Sequence, residues 1–166
     1  MKLSDLRARI DKLDAEILRL LAERCELTHQ IGRHKKNDGS NCVWVPEREE
    51  QVLAHLLSLP RGHLTERGLR AIFHQILSAG RETQGGLTVA VNGANPQSTL
   101  LEARCFFGDC TDYICCDNTE TLLENLRGKK AHLAICEQEL QYPDIHTKHT
   151  FTTQHGKKLF ILALAP

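Results

Sequence analysis

Several things are missing from this sequence, and each absence narrows its class. It has no net charge: 21 Lys and Arg stand against 21 Asp and Glu. That balance argues against nucleic acid as the main partner. No apolar run approaches the roughly 20 residues needed to cross a membrane, so no membrane association is expected. No secretory leader is visible, because the polar opening Lys2-Leu3-Ser4-Asp5 runs directly into helix periodicity. The seven cysteines are odd in number and include no CxxC pair, and Cys115 and Cys116 are adjacent. Reduced thiols in a cytoplasmic protein are therefore expected, with no metal and no cofactor. Cys115, Cys116 and Cys136 sit inside apolar runs and read as small core residues. Internal repeats and low-complexity stretches are also lacking.

What is present is an ordinary globular composition, 41% hydrophobic and 25% charged over 166 residues, enough for one large domain or two small ones. The Gly85-Gly86 pair divides it. Before the pair the periodicity is helical; after it, short β-rich runs alternate with helical stretches. Leu6, Ile10, Leu13, Ile17, Leu20, Leu27 and Ile31 recur at three- and four-residue steps, which predicts one helix from about Ser4 to Lys36. Such a helix is roughly 50 Å long at 1.5 Å per residue. Two shorter helices of the same chain cannot cover its stripe, so at least a dimer is expected. The stretch 37–41 reads as a loop. Pro46 suits the first turn of a second helix carrying Leu53, Leu56 and Leu57. Thr65 caps a third, with Leu69, Ile72, Phe73, Ile76 and Leu77 as its buried stripe.

The residues that break these stripes carry the chemistry. After Leu20 the seam lands on Arg24; Arg24, Thr28 and Lys35 share one face, and Gly32 leaves room between them. In the second helix Glu49 projects into the apolar arc, flanked by Arg48, and in the third the stripe runs on to Gly80 and Gln84. An arginine is rarely buried without a partner, and three such interruptions suggest one enclosed polar cavity lined by Arg24, Lys35, Arg48, Glu49 and Gln84. Its cations outnumber its one carboxylate, so the ligand is a small anion. It holds no cysteine, no Ser-His pair and no metal-ligand cluster. Pericyclic rearrangements and eliminations need none of these, because fixed charges that hold a reactive conformer are enough.

The stretches Leu6-Arg7-Ala8-Arg9-Ile10-Asp11-Lys12-Leu13-Asp14, Leu20-Leu21-Ala22-Glu23-Arg24, Ile31-Gly32-Arg33-His34-Lys35, Pro46-Glu47-Arg48-Glu49 and the terminal Gln84 together resemble the all-helical (AroQ-class) chorismate mutases over residues 3–84. The resemblance implies an intertwined helical homodimer that converts chorismate to prephenate in aromatic amino-acid biosynthesis. It implies that Arg24, and Arg7 from the partner, meet the substrate carboxylates. Lys35 and Gln84 would hydrogen-bond the ether oxygen, Glu49 the ring hydroxyl, and Arg48 would support the site. Val45 stands where relatives often carry an acidic residue and Gly80 where they often carry serine. A lyase that eliminates pyruvate from isochorismate, or a non-catalytic binding module, would suit the same cavity.

Residues 87–91, 112–116, 131–136 and 159–164 read as strands and 97–107 and 119–126 as helices. The expected architecture is therefore α + α/β: a three-helix unit over 1–84, then a small α/β unit with a mostly parallel sheet over 85–166. Val89-Ala90-Val91-Asn92-Gly93 and Ser98-Thr99 resemble the first lobe of prephenate dehydratase. The family's Glu-Asn-Ser is here Glu137-Gln138-Glu139, its Thr-Arg-Phe is at best Lys158-Leu159-Phe160, and there is no room for a second lobe, so no dehydratase activity is expected. His146, His149 and His155 fall in a polar stretch expected as a loop.

Overall fold

The computed structural model describes residues 2–39, 42–153 and 155–165; Ser40 and Asn41, at the end of the expected first loop, lie outside the described residues. Three helices come first. The seam residues form α1 (Leu3–Asn37), opened by Asp5, whose carboxylate accepts from the Lys2 N–H at 3.0 Å. Pro46 begins α2 (Pro46–Ser58), and α3 (Glu66–Thr83) starts behind Thr65, whose hydroxyl accepts from Gly68 N–H at 3.1 Å. In α3, Ile72 is exposed rather than part of the buried stripe, because the buried line runs along Leu69 and Leu77.

Two glycines set how closely α1 and α3 approach. A Cβ on Gly32 would lie 2.8 Å from Gln84 Cα, and one on Gly80 would lie 3.0 Å from an Arg24 guanidinium nitrogen. The helices therefore meet backbone to backbone at the point where Arg24, Lys35 and Gln84 converge.

The second half runs β1 (Thr88–Val91), α4 (Pro96–Phe107), β2 (Asp112–Cys115), α5 (Thr119–Arg127), β3 (Leu133–Cys136), β4 (Ile145–Thr152) and β5 (Lys158–Leu164). Asn95 and Asn118 cap α4 and α5 through their side-chain carbonyls. Gly108, at φ 83°, ends α4. The strand order is β2-β1-β3-β5-β4; β2, β1 and β3 are parallel, and β5 and β4 add as an antiparallel hairpin. Side chains alternate across this sheet. Val89, Val91, Leu133, Ile135, Leu159 and Ile161 pack with Ala103 and Phe107 of α4 on one face, and Ala90, Ala134 and Leu162 pack with Leu122, Leu123 and Leu126 of α5 on the other.

Two expectations need correction here. The stretch holding His146 and His149 is not a loop but strand β4. It is an edge strand paired only to β5; His146, Thr150 and Thr152 face solvent while Lys148 and His149 are half-buried, and this run of polar residues hides the alternation that marks a half-buried strand. Cys115 is exposed while Cys116 and Cys136 are buried, because β2 is the other edge of the sheet.

The halves are joined by more than the chain. Trp44, just before α2, is buried in the core of the α4 face, with its ring centroid 5.0 Å from Phe107 and 5.9 Å from His149. α3 is stitched to the end of α4: Ser78 Oγ accepts from Cys110 N–H at 3.1 Å, and Gln75 Oε1 accepts from Asp109 N–H at 3.1 Å.

Candidate functional site

The C-terminal turns of α1 and α3 bring two of the expected residues, Lys35 and Gln84, together. Lys35 Nζ donates to Cys42 O at 2.9 Å and to Gln84 Oε1 at 3.4 Å. An ammonium has three N–H bonds, so one remains to donate. Gln84 Nε2 donates to Gly80 O at 3.2 Å and keeps a second N–H. Three turns back along α1, Arg24 is half-buried and donates to Ile76 O at 3.3 Å, which fixes its planar fork and leaves further donors open. Between them the Thr28 and Thr83 hydroxyls lie 2.7 Å apart, and Thr83 donates onward to Gly80 O. Gly80 carries no side chain here and lets Arg24 sit directly against α3.

The remaining residues are placed differently. Glu49 is half-buried on α2, but its Oε1 accepts from Arg81, a partner the sequence reading did not name. Arg48 is exposed, Val45 half-buried, and Arg7 exposed near the start of α1. Arg7 stands 17 residues before Arg24, roughly 25 Å along one straight helix, so a single chain cannot bring both to one small molecule.

Arg81 is the residue that stripe reading missed. Only 2% exposed, it also donates to Phe107 O, and its Nε is a buried polar atom without a partner. The signal was present: Leu69, Phe73, Leu77 and Arg81 repeat at four-residue steps, a row parallel to the one that leads to Gly80 and Gln84. His74 lies beside this pair, and burial pushes its pKa below the usual value despite the Phe106 hydrogen bond and the nearby Glu49 charge. Removing one partner of a buried ion pair strands the other. Arg81→Ala is expected to lower stability by about 3 kcal/mol, and Glu49→Ala/Arg81→Ala to lose less than the sum of the single changes. Urea unfolding of the four proteins measures both.

A second crevice opens at the carboxyl ends of β1 and β3, where the connections leave β1 in opposite directions, the usual ligand position in an open α/β sheet. It is an open pocket of about 340 Å³, and Glu137 stands in its lining. Glu137 Oε1 accepts from Lys157 Nζ, from Thr99 Oγ1 at 3.1 Å and from Ala94 N–H at 3.0 Å. Partial burial alone would raise the Glu137 pKa, but the hydrogen bonds and charge of Lys157, Thr99 and Ala94 outweigh it and hold the carboxyl below its usual value. A depressed folded-state pKa stabilises fully above the ordinary value near 4.5 and fades as pH falls through the lowered one. Glu137→Gln is expected to be less stable than the parent by about 1 kcal/mol at pH 7, with the gap closing as the pH is taken below 4. Unfolding at the two pH values tests the sign.

Among the described residues no group of three or more His, Cys, Asp or Glu could hold a metal ion, and no helix is long and apolar enough to cross a membrane.

One long helix and two shorter ones, with the Lys35–Gln84 pair at the ends of α1 and α3 and Arg24 earlier on α1, make up an all-helical first half. Residues 6–85 match the family model of type II chorismate mutase. The chain is 32% identical over 76 residues to the chorismate mutase of Methanocaldococcus jannaschii, covering 46% of this chain and 76% of that protein. It is 31% identical over 133 residues to the bifunctional chorismate mutase/prephenate dehydratase of Neisseria gonorrhoeae (80% of this chain, 36% of that protein) and 31% over 142 residues to that of Aquifex aeolicus (83% and 39%). This chain belongs to the type II chorismate mutase family. It spans little more than a third of the length of the two bifunctional relatives, and the likeness to them runs past the helical half into the α/β half.

Proposed function

We propose that this protein rearranges chorismate to prephenate, as an enzyme of aromatic amino-acid biosynthesis in the cytoplasm, with residues 1–84 as the catalytic unit and 85–166 as a second unit. The observation that carries this reading is the Lys35–Gln84 pair. It sets an ammonium and an amide, each with an unused N–H, at the helix crossing that also holds Arg24. As the ether C–O bond of chorismate breaks, its oxygen gains negative charge. Lys35 and Gln84 are placed to donate to that oxygen, and donors already fixed in position lower the barrier without reorganising. Arg24 holds a carboxylate, Glu49 accepts from the ring hydroxyl through the oxygen that Arg81 leaves open, and Arg48 swings in from its exposed position.

The same reading makes the protein a homodimer. The seam residues Leu6, Ile10, Leu13, Ile17, Leu20, Leu27 and Ile31 are 40–58% exposed, a continuous apolar stripe that a partner's helix covers. An antiparallel partner brings its own Arg7 to the second carboxylate. In the α/β half, Glu137 is tied to Lys157 and Thr99 in a single small lobe, which supports a unit without dehydratase chemistry.

The test is turnover of chorismate by purified protein, followed by absorbance, with the product identified. Prephenate supports the reading; pyruvate from isochorismate makes the protein a lyase; no turnover of either, in a folded dimer, makes it a binding module.

A further inference from the structure

A cavity of about 480 Å³ lies between the end of α1 and the sheet of the second half. Its floor is apolar, with Trp44, Leu87 and Leu133, and its rim carries Lys35, Lys36, Lys129, Lys148 and His132. Among the described residues no carboxylate lines it, and none of these four lysines forms an ion pair. In a chain of zero net charge, four ammonium groups gathered on one cavity without an acid is a marked local excess.

Two of these lysines are aimed by irregular backbone. Lys129 has φ 56°, the sole positive value at a non-glycine among the described residues. A position after a helix that normally takes glycine here carries a long cation instead. Lys148 is the extra residue of a β-bulge: Thr147 pairs with Leu162 and His149 with Ile161, leaving Lys148 without a partner across the ladder. Bulges re-aim side chains, and this one sends the Lys148 ammonium to within 3.3 Å of Cys42 Sγ and 6.0 Å of the Trp44 ring centroid. His132 Nδ1 accepts from Thr88 N–H at 3.0 Å, so its ring proton sits on Nε2, a further donor.

We propose that this cavity binds a small amphipathic anion, an apolar body bearing a carboxylate or phosphate, with the body on the Trp44 floor and the head among Lys36, Lys129 and Lys148. Neither half makes the site alone: Lys35, Lys36 and Trp44 come from the first, Lys129, His132 and Lys148 from the second. It is separate from the Arg24, Arg48 and Glu49 side of the helical site and adjoins it through Lys35 and Gln84.

Trp44 is the single tryptophan, so its fluorescence reports occupancy without any turnover, independently of the mutase reading. Benzoate, phenyl phosphate and the uncharged benzyl alcohol are titrated into the intact protein. A saturable change is expected with one or both anions below about 10 mM, and whichever binds tighter identifies the head group. Lys129→Gly with Lys148→Ala is expected to weaken it about tenfold or more, while circular dichroism and Tm stay at parent values, since glycine relaxes φ 56°. Arg24→Ala is expected to leave it unchanged. The proposal is overturned if neither anion saturates, if benzyl alcohol binds as well as the anions, or if Arg24→Ala abolishes binding while the double lysine variant retains it.

Discussion

Lys35→Ala is expected to lower kcat for chorismate by about 10²–10³-fold, the usual loss when one donor to a developing oxyanion is removed. Lys35 Nζ is held by Cys42 O and Gln84 Oε1, so the ammonium is oriented before substrate arrives and little ordering remains to be done in the transition state. The substitution takes away a charge from a half-buried position at the end of α1 and leaves the apolar packing of the helices untouched, so helicity by circular dichroism stays at the parent level. KM should move far less than kcat, because charge on the ether oxygen grows only as the bond breaks. A kcat within a few-fold of the parent would remove Lys35 from the chemistry. Gln84→Ala serves as the comparison: a neutral donor in the same pair is expected to matter less.

A larger swing is expected from mixing two crippled proteins. Arg7→Ala and Arg24→Ala dimers should each be nearly inactive, since each lacks a carboxylate-binding cation in both sites. In an antiparallel dimer each site draws Arg24 from one chain and Arg7 from the other. A mixed dimer therefore gathers both lesions into one site and restores the other. With random exchange half of the dimers are mixed and each carries one intact site, so activity should climb from nearly nothing to roughly a quarter of the parent. Native mass spectrometry verifies exchange. If mixed dimers form and activity stays flat, Arg7 does not act across the interface. The 17-residue offset on one helix makes this sharp, because no bend of α1 among the described residues brings Arg7 back to its own Arg24.

The helices were readable because their signals are local. A seam of apolar residues, Pro46 at a first turn and Thr65, Asn95 and Asn118 at caps act over three or four residues, and each appears where its chemistry places it. Arg24 and Gln84 stood out in the sequence for a different reason: each interrupts a row of apolar residues, and Lys35 shares the face of Arg24. What escaped detection depends on distant partners. Arg81 is buried by Glu49 and by a carbonyl 26 residues away, and nothing within its own turn announces either. Strand β4 gains its ladder from β5 and is built mostly of polar residues, so its sequence looks like a loop. Trp44 sits in a short connection with no periodicity, and its aromatic neighbours Phe107 and His149 lie 63 and 105 positions downstream.

That placement of Trp44 has a consequence for how the molecule comes apart. A large indole from the first unit completes the hydrophobic core of the second, and Arg81 of α3 anchors on the last carbonyl of α4. Opening either unit exposes the indole and strands a guanidinium, so local unfolding of one raises the free energy of the other. The two units are therefore expected to melt in one transition despite the glycine pair between them, with Trp44 fluorescence and helical circular dichroism lost together.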